Sequence, residues 1–315
     1  MGLLEIILIV AAVLIVGNVM AMFAITWPIA KREYANMFIR ETEDKWAREN
    51  SCPENEEHSV MFDAGINWGK ENANAIKEVC IENDGLKLYG EYFDFGGSKC
   101  AIILPGRAES LLYCYYFAEP YKKMGYNILV VDQRAHGKSE GVYNCVGVKE
   151  RDDIKCWMEY IHNTFGDEKF FIHGVCIGSS IAIFLGAMNT PGLEGIALEG
   201  PYVSFLNVLT QRTKARKKPP FPIVQEMTYL FKKKAGINIV KEKPVNYIKK
   251  VNVPTLFLCG RKDYSSLPAH MDKLYKLCGA ENKKMVWFDE GAHSHLRISN
   301  TEEYDKAIED FIEKL

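Results

Sequence analysis

No two of the chain's nine cysteines stand in C-x-x-C spacing, which leaves no sequence basis for a structural zinc site. They are odd in number and scattered (52, 80, 100, 114, 145, 156, 176, 259, 278), which argues against a disulfide framework. Free thiols suit a reducing compartment. Net charge is also scarce, at -2 over the whole chain, so no electrostatic case for nucleic acid arises. There is no G-x-x-x-x-G-K-[ST] phosphate loop, no H-E-x-x-H and no internal repeat, and neither a metal nor a cofactor is expected. Finally, no Lys or Arg precedes the first apolar run, where a cleaved signal peptide would carry its basic stretch.

That run, residues 6–27, is almost unbroken and about the length that spans a bilayer, with Trp27 at its end where an interfacial indole sits well. We read residues 1–30 as a single-pass transmembrane anchor; a signal peptide and a buried soluble helix are the rival readings. Lys31, Arg32 and Arg40 follow the run, whereas Glu5 is the one charged side chain before it. The positive-inside rule then puts the rest of the chain in the cytoplasm, in agreement with the cysteine usage.

Residues 31–77 are expected to be a helical juxtamembrane segment, interrupted at Ser51-Cys52-Pro53-Glu54-Asn55-Glu56-Glu57 by a solvated linker. A second amphipathic piece, residues 60–76, carries Phe62, Ile66 and Trp68 and is a candidate to pack on the core. The remainder, 78–315, is long enough for one large domain with a full core.

From Glu78 the pattern changes. Residues 78–81 and 86–95 flank Asn83-Asp84-Gly85, a hairpin signal. Short apolar strands are then predicted at 100–104, 127–132, 170–173, 196–198, 255–258 and 284–288. Helices are predicted at 110–124, 148–165 and 302–314. Strands of this kind separated by helices give an α/β fold, a mostly parallel sheet covered on both faces, whose active site lies at the strands' carboxyl ends.

One short stretch stands out there, Gly174-Val175-Cys176-Ile177-Gly178, entered by an apolar strand and left by an apolar segment of helical length. A strand that turns sharply into a helix lifts its apex side chain above the sheet, and glycines two before and two after let the backbones approach. The helix N-terminus behind the apex favours a thiolate and a developing oxyanion. By itself Gly-x-Cys-x-Gly is equally well a small buried cysteine in a core.

Five stretches in order decide between these. Leu104-Pro105-Gly106-Arg107 follows one strand, and Asp132-Gln133-Arg134-Ala135-His136-Gly137-Lys138-Ser139 the next. The cysteine elbow comes third; Gly260-Arg261-Lys262-Asp263 and Gly291-Ala292-His293-Ser294 close the series. With these, residues 78–315 resemble the α/β-hydrolase superfamily. The general likeness is to membrane-anchored bacterial hydrolases described as esterase- or peptidase-like, and the elbow cysteine is similar to that of dienelactone hydrolase.

The resemblance implies a Cys-His-Asp triad. Cys176 attacks a carbonyl, His293 pairs with the thiolate and protonates the leaving group, and Asp263 holds the imidazole. It implies an oxyanion hole from the backbone N–H groups of Arg107 and Ile177. Pro105 stands where the family usually has histidine, which leaves the Arg107 amide intact. The Arg107 side chain either meets a substrate carboxylate or phosphate or points to solvent. Glu199, at a strand end, is the fallback acid, and His295 the second histidine candidate. His173 reads as a satisfied core histidine, and Arg134 and His136 as a loop-structuring network. The insertion at about 205–244 is a cap with basic residues (Arg212, Lys214, Arg216, Lys217, Lys218 and Lys232 to Lys234), either a solvated face or one near anionic lipid. The expected reaction is hydrolysis of a carboxylic ester, thioester or lactone, with a small acyl compound as partner. The alternatives are a membrane-bound binding or scaffold protein that has lost its chemistry through the serine-to-cysteine change, and an acyltransferase or peptidase.

Overall fold

The computed structural model describes residues 2–49 and 56–315; most of the expected linker at 51–57 lies outside the described residues. Eight strands form one sheet: β1 Ile76–Asn83, β2 Leu86–Phe93, β3 Lys99–Leu104, β4 Asn127–Val131, β5 Lys169–Val175, β6 Leu193–Glu199, β7 Thr255–Gly260 and β8 Lys283–Phe288. Their spatial order is β1-β2-β4-β3-β5-β6-β7-β8. The β1–β2 hairpin turns at Asp84-Gly85, both at positive φ, and β2 runs antiparallel to β4, while β4 through β8 are all parallel. Burial follows this pairing. β4 is buried at every residue and β5 at all but its first, as strands covered on both faces must be, whereas β1 at the edge alternates.

The helices are α1 Leu3–Phe38, α2 Glu56–Glu71, α3 Glu119–Lys123, α4 Glu150–Phe165, α5 Ile177–Gly186, α6 Phe205–Ala215, α7 Pro220–Ala235, α8 Pro244–Tyr247, α9 Pro268–Leu277, α10 Leu296–Ser299 and α11 Thr301–Ile312. One expected helix is absent in the form read from sequence. Residues 110–124 fold instead as a 3-10 run, Leu111–Phe117, followed by the short α3. Pro120 has no N–H to donate and so begins a helix rather than continuing one. Ahead of it, Tyr113, Tyr115, Tyr116 and Phe117 are all buried, and the tighter turn carries them into the core on one side of the sheet.

α1 is long and apolar enough to cross a membrane, and residues 3–21 of it face outward. Its last turns do not. Ala30, Tyr34, Met37 and Phe38 are buried against α6 and α7, with Phe38 stacked on Phe231 at 4.2 Å and meeting Phe205 at 5.6 Å. The apolar helix is therefore packed at one end against α6 and α7.

Candidate active site

The elbow after β5 is built by glycine. A methyl group on Gly174 would lie 2.2 Å from the Gly178 carbonyl carbon, and one on Gly178 would lie 2.4 Å from the Leu104 carbonyl oxygen. Strand, helix and the neighbouring β3 meet too closely for any side chain at these positions. Between them Cys176 takes φ 55°, ψ -107°, a backbone conformation that L-residues avoid. Its N–H donates to the Glu199 carbonyl at 2.9 Å, and the Ser179 hydroxyl, one turn into α5, donates to the carbonyls of Gly174 and Glu199. The strain is thus held by β6 and by the first turn of the helix.

Asp263 and His293 come from the ends of β7 and β8. His293 Nδ1 and Asp263 Oδ2 are 2.8 Å apart, and the other carboxylate oxygen accepts the N–H groups of Ser265 and Ser266, both at 2.7 Å. Burial alone would raise the Asp263 pKa, but the His293 hydrogen bond and charge, with those two N–H donors, hold it below the ordinary value. Burial likewise pulls His293 down. The Cys176 charge and the Asp263 hydrogen bond outweigh it and hold the imidazole well above its usual pKa. Cys176 lines the same cavity as His293 and lies near enough for its charge to act on the ring. Gly200, at φ 56°, passes directly beneath the pair: a methyl there would stand 3.0 Å from His293 Cε1 and 3.4 Å from Asp263 Oδ2. Neither Gly200 nor Ser266, whose hydroxyl donates to the Gly200 carbonyl at 2.6 Å, was legible as a site residue. The Glu199-Gly200-Pro201 turn at a strand end was the available signal.

The N–H groups of Arg107 and Ile177 meet no hydrogen-bond acceptor among the described residues. The Arg107 turn is pinned around its carbonyl, which takes His136 Nε2 at 2.8 Å and Asn144 Nδ2 at 3.0 Å, while Gly106 N–H donates to Glu109 at 2.7 Å. His136 stacks on Trp46 at 4.7 Å and Arg134 grips Asp153 through two hydrogen bonds at 2.6 and 2.8 Å, so both structure the loop. Asp132 organises that loop by accepting from Leu111 N–H, Lys138 N–H and Arg48 Nε. Arg48, from the segment before the sheet, gave no sequence sign of this role.

Glu199 is buried beneath the site. Its carboxylate takes the Tyr304 hydroxyl and the Leu296 N–H, not the His293 ring, and burial pushes its pKa up to about 7. His295 packs edge-on against His58 with ring centroids 3.8 Å apart, and burial with that neighbour lowers it to about 4. His173 is fully buried with Nε2 3.0 Å from the Tyr304 hydroxyl. Cys176 and His293 open into a cavity of ≈ 580 Å³ between the strand ends and the cap, whose walls include Arg107, Phe205, Val208 and Arg212.

Arg297 anchors the segment after His293. Its guanidinium bonds both Asp305 oxygens at 2.6 Å and the Tyr116 carbonyl at 2.5 Å. Arg297→Ala leaves the Asp305 carboxylate buried and unpaired, and is expected to cost about 3–5 kcal/mol of stability in urea unfolding.

An eight-stranded, mostly parallel sheet with a strained elbow at its centre, and an acid and a histidine at the following strand ends, is the α/β-hydrolase fold. Residues 102–218 match the family model described as alpha/beta hydrolase fold. The chain has that fold and is a hydrolase of esterase-like type. It is 24% identical over 210 residues to the uncharacterized protein YqkD of Bacillus subtilis, covering 66% of this chain and 67% of that one. It is 26% identical over 242 residues to the uncharacterized membrane protein YNL320W of Saccharomyces cerevisiae, covering 75% and 78%. Among solved structures it resembles the Pyrococcus furiosus esterase Pf2001, with a TM-score of 0.63, 25% identity, and coverage of 78% of this chain and 95% of that one.

Proposed function

We propose that the protein hydrolyses carboxylic esters, thioesters or lactones through an acyl-enzyme on Cys176, with His293 and Asp263 completing the triad. The observation that carries this is the Asp263–His293 hydrogen bond at 2.8 Å, on a ring that shares its cavity with Cys176 at the apex of the elbow. In the first half-reaction the Cys176 thiolate attacks the carbonyl carbon and a C–S bond forms. The carbonyl oxygen becomes an oxyanion facing the Arg107 and Ile177 N–H groups, each such donor contributing roughly 3–4 kcal/mol to the transition state. The C–O or C–S bond to the leaving group then breaks as the imidazolium gives it a proton. In the second half, water attacks the acyl-thioester, His293 takes its proton, and the thiolate departs with its electron pair as the acid is released. Asp263 holds the ring tautomer and its positive charge throughout.

In this reading residues 1–30 are the membrane anchor, 78–315 carry the chemistry, and 205–244 cap the cavity. The basic residues Lys31, Arg32 and Arg40 after the apolar run favour a cytoplasmic catalytic domain.

The test is covalent trapping. Detergent-solubilised full-length protein is incubated with short-chain activated esters and thioesters and its intact mass is followed. An acyl increment that maps to Cys176, is absent in Cys176→Ala and decays with turnover is the expected result. No increment in the natural protein, together with turnover in Cys176→Ser, would instead favour a binding or scaffold role for a fold tuned away from catalysis.

A further inference from the structure

Two cations share the cavity that holds Cys176 and His293, and neither has a carboxylate partner among the described residues. Arg107 reaches it from the turn after β3. One of its N–H groups donates to the Met37 carbonyl at 3.4 Å; the rest of its fork meets no acceptor among the described residues. Arg212 reaches it from α6 in the cap and makes no ion pair there. The contrast lies one turn further on. Arg216 is ion-paired with Glu33 of α1, and Lys218 donates to the same carboxylate at 2.8 Å. Glu33 thus pairs directly with Arg216 and Lys218, and reaches Arg212 only through space.

The cavity's own acids are already engaged. Glu109 accepts the Gly106 N–H at 2.7 Å and faces His58 Nε2 at 3.6 Å, and Asp263 holds His293 and two backbone N–H groups. The surplus charge beside the nucleophile is positive. Both guanidinium groups line the one cavity, and burial, then the Arg212 charge, push the Arg107 pKa down to about 10 against the pull of Cys176 and Glu109. Such a pair is unfavourable when empty and becomes favourable when an anion lies between, because a guanidinium fork matches a carboxylate or phosphate with two parallel hydrogen bonds.

We propose that Arg107 and Arg212 form an anion-binding subsite, so that the ester or thioester this protein cleaves carries a carboxylate or phosphate near its scissile carbonyl. The inference rests on the cysteine-hydrolase reading of the same cavity. The two guanidinium groups bind and orient the substrate and take no part in bond making.

Two matched pairs test it on the full-length protein. The first is 4-nitrophenyl hexanoate against mono-4-nitrophenyl adipate, with the charge on the acyl side. The second is S-hexanoyl pantetheine against S-hexanoyl phosphopantetheine, with the charge on the leaving group. The expected result is a preference of roughly ten-fold or more in kcat/KM for the anionic member of at least one pair, carried by KM. Arg212→Gln abolishes that preference and leaves the neutral esters within about two-fold, as a lost charge-assisted contact to substrate alone requires. Which pair responds tells whether the anion sits on the acid or on the leaving group. Turnover of all four esters without preference overturns the subsite and leaves the hydrolase reading standing. So does an Arg212→Gln variant that slows neutral and anionic esters alike, since the arginine would then support the thiolate rather than the substrate. If none of the four acylates the protein, the hydrolase reading has failed and the subsite with it.

Discussion

Cys176→Ala and His293→Ala each reduce kcat/KM for an activated ester or thioester by roughly 10³-fold or more, and the double variant is no slower than either single one. The non-additivity is the diagnostic part. A nucleophile without its base, or a base without its nucleophile, leaves nothing for the other to do, so the first loss is nearly the whole loss. On the proposed mechanism the residual rate belongs to the two N–H groups of Arg107 and Ile177 and to binding in the cavity. Neither substitution should disturb folding. Alanine keeps the Cβ that already sits at φ 55°, and the elbow's bonds to Glu199 and Gly174 are made by the Cys176 backbone and Ser179. Thermal unfolding and far-ultraviolet circular dichroism of the variants check this. A Cys176→Ala protein that still turns over at the natural rate would remove Cys176 from the chemistry and return it to the core.

Asp263→Asn is expected to lower kcat by roughly 10²–10⁴-fold and to move the alkaline limb of the pH–rate profile toward lower pH. The sign comes from the two shifts. His293 is held well above its ordinary value, against burial, by the Cys176 charge and by Asp263. The imidazolium they sustain is therefore fully present below the usual histidine range and is lost as pH rises through the raised value. Asp263 is held below the ordinary carboxylate value by His293, Ser266 and Ser265 against its own burial, so its contribution is present above the usual range and lost as pH falls through the depressed value. Asparagine removes the charge that sustains the first and presents an amide that can hold the wrong tautomer. Glu199→Gln is the control: its carboxylate meets Tyr304 and Leu296 rather than His293, and kcat should stay within about ten-fold. A fall in Glu199→Gln as deep as that in Asp263→Asn would exchange their roles.

Much of this arrangement is legible along the chain because it is made of local rules. Apolar runs of four to eight residues punctuated by glycine mark the parallel strands. The Gly-x-Cys-x-Gly stretch marks the elbow, since only glycine tolerates backbone atoms 2.2 and 2.4 Å from where a Cβ would stand. The helix read over 110–124 fails for a reason that is not local. Pro120 was visible, but the pull of the sheet on Tyr113, Tyr115, Tyr116 and Phe117 was not. Arg48 binding Asp132 across 84 positions, Gly200 lying under His293, and Arg216 paired with Glu33 across 183 positions are all contacts between segments with no sequence relation.

The sequence by itself determined the order of strands and helices, the apex cysteine and the chain order of acid and histidine, because each follows from spacing and from the conformational limits of glycine and proline. Tertiary structure alone decided that Asp263 rather than Glu199 meets His293, and that the end of the apolar helix is buried against α6 and α7. It also decided that Arg107 and Arg212 face one cavity while Arg216 does not stand free. Those outcomes depend on distances across the sheet and between layers, where hydrogen-bond reach of about 3 Å selects one partner among several of the same chemical type.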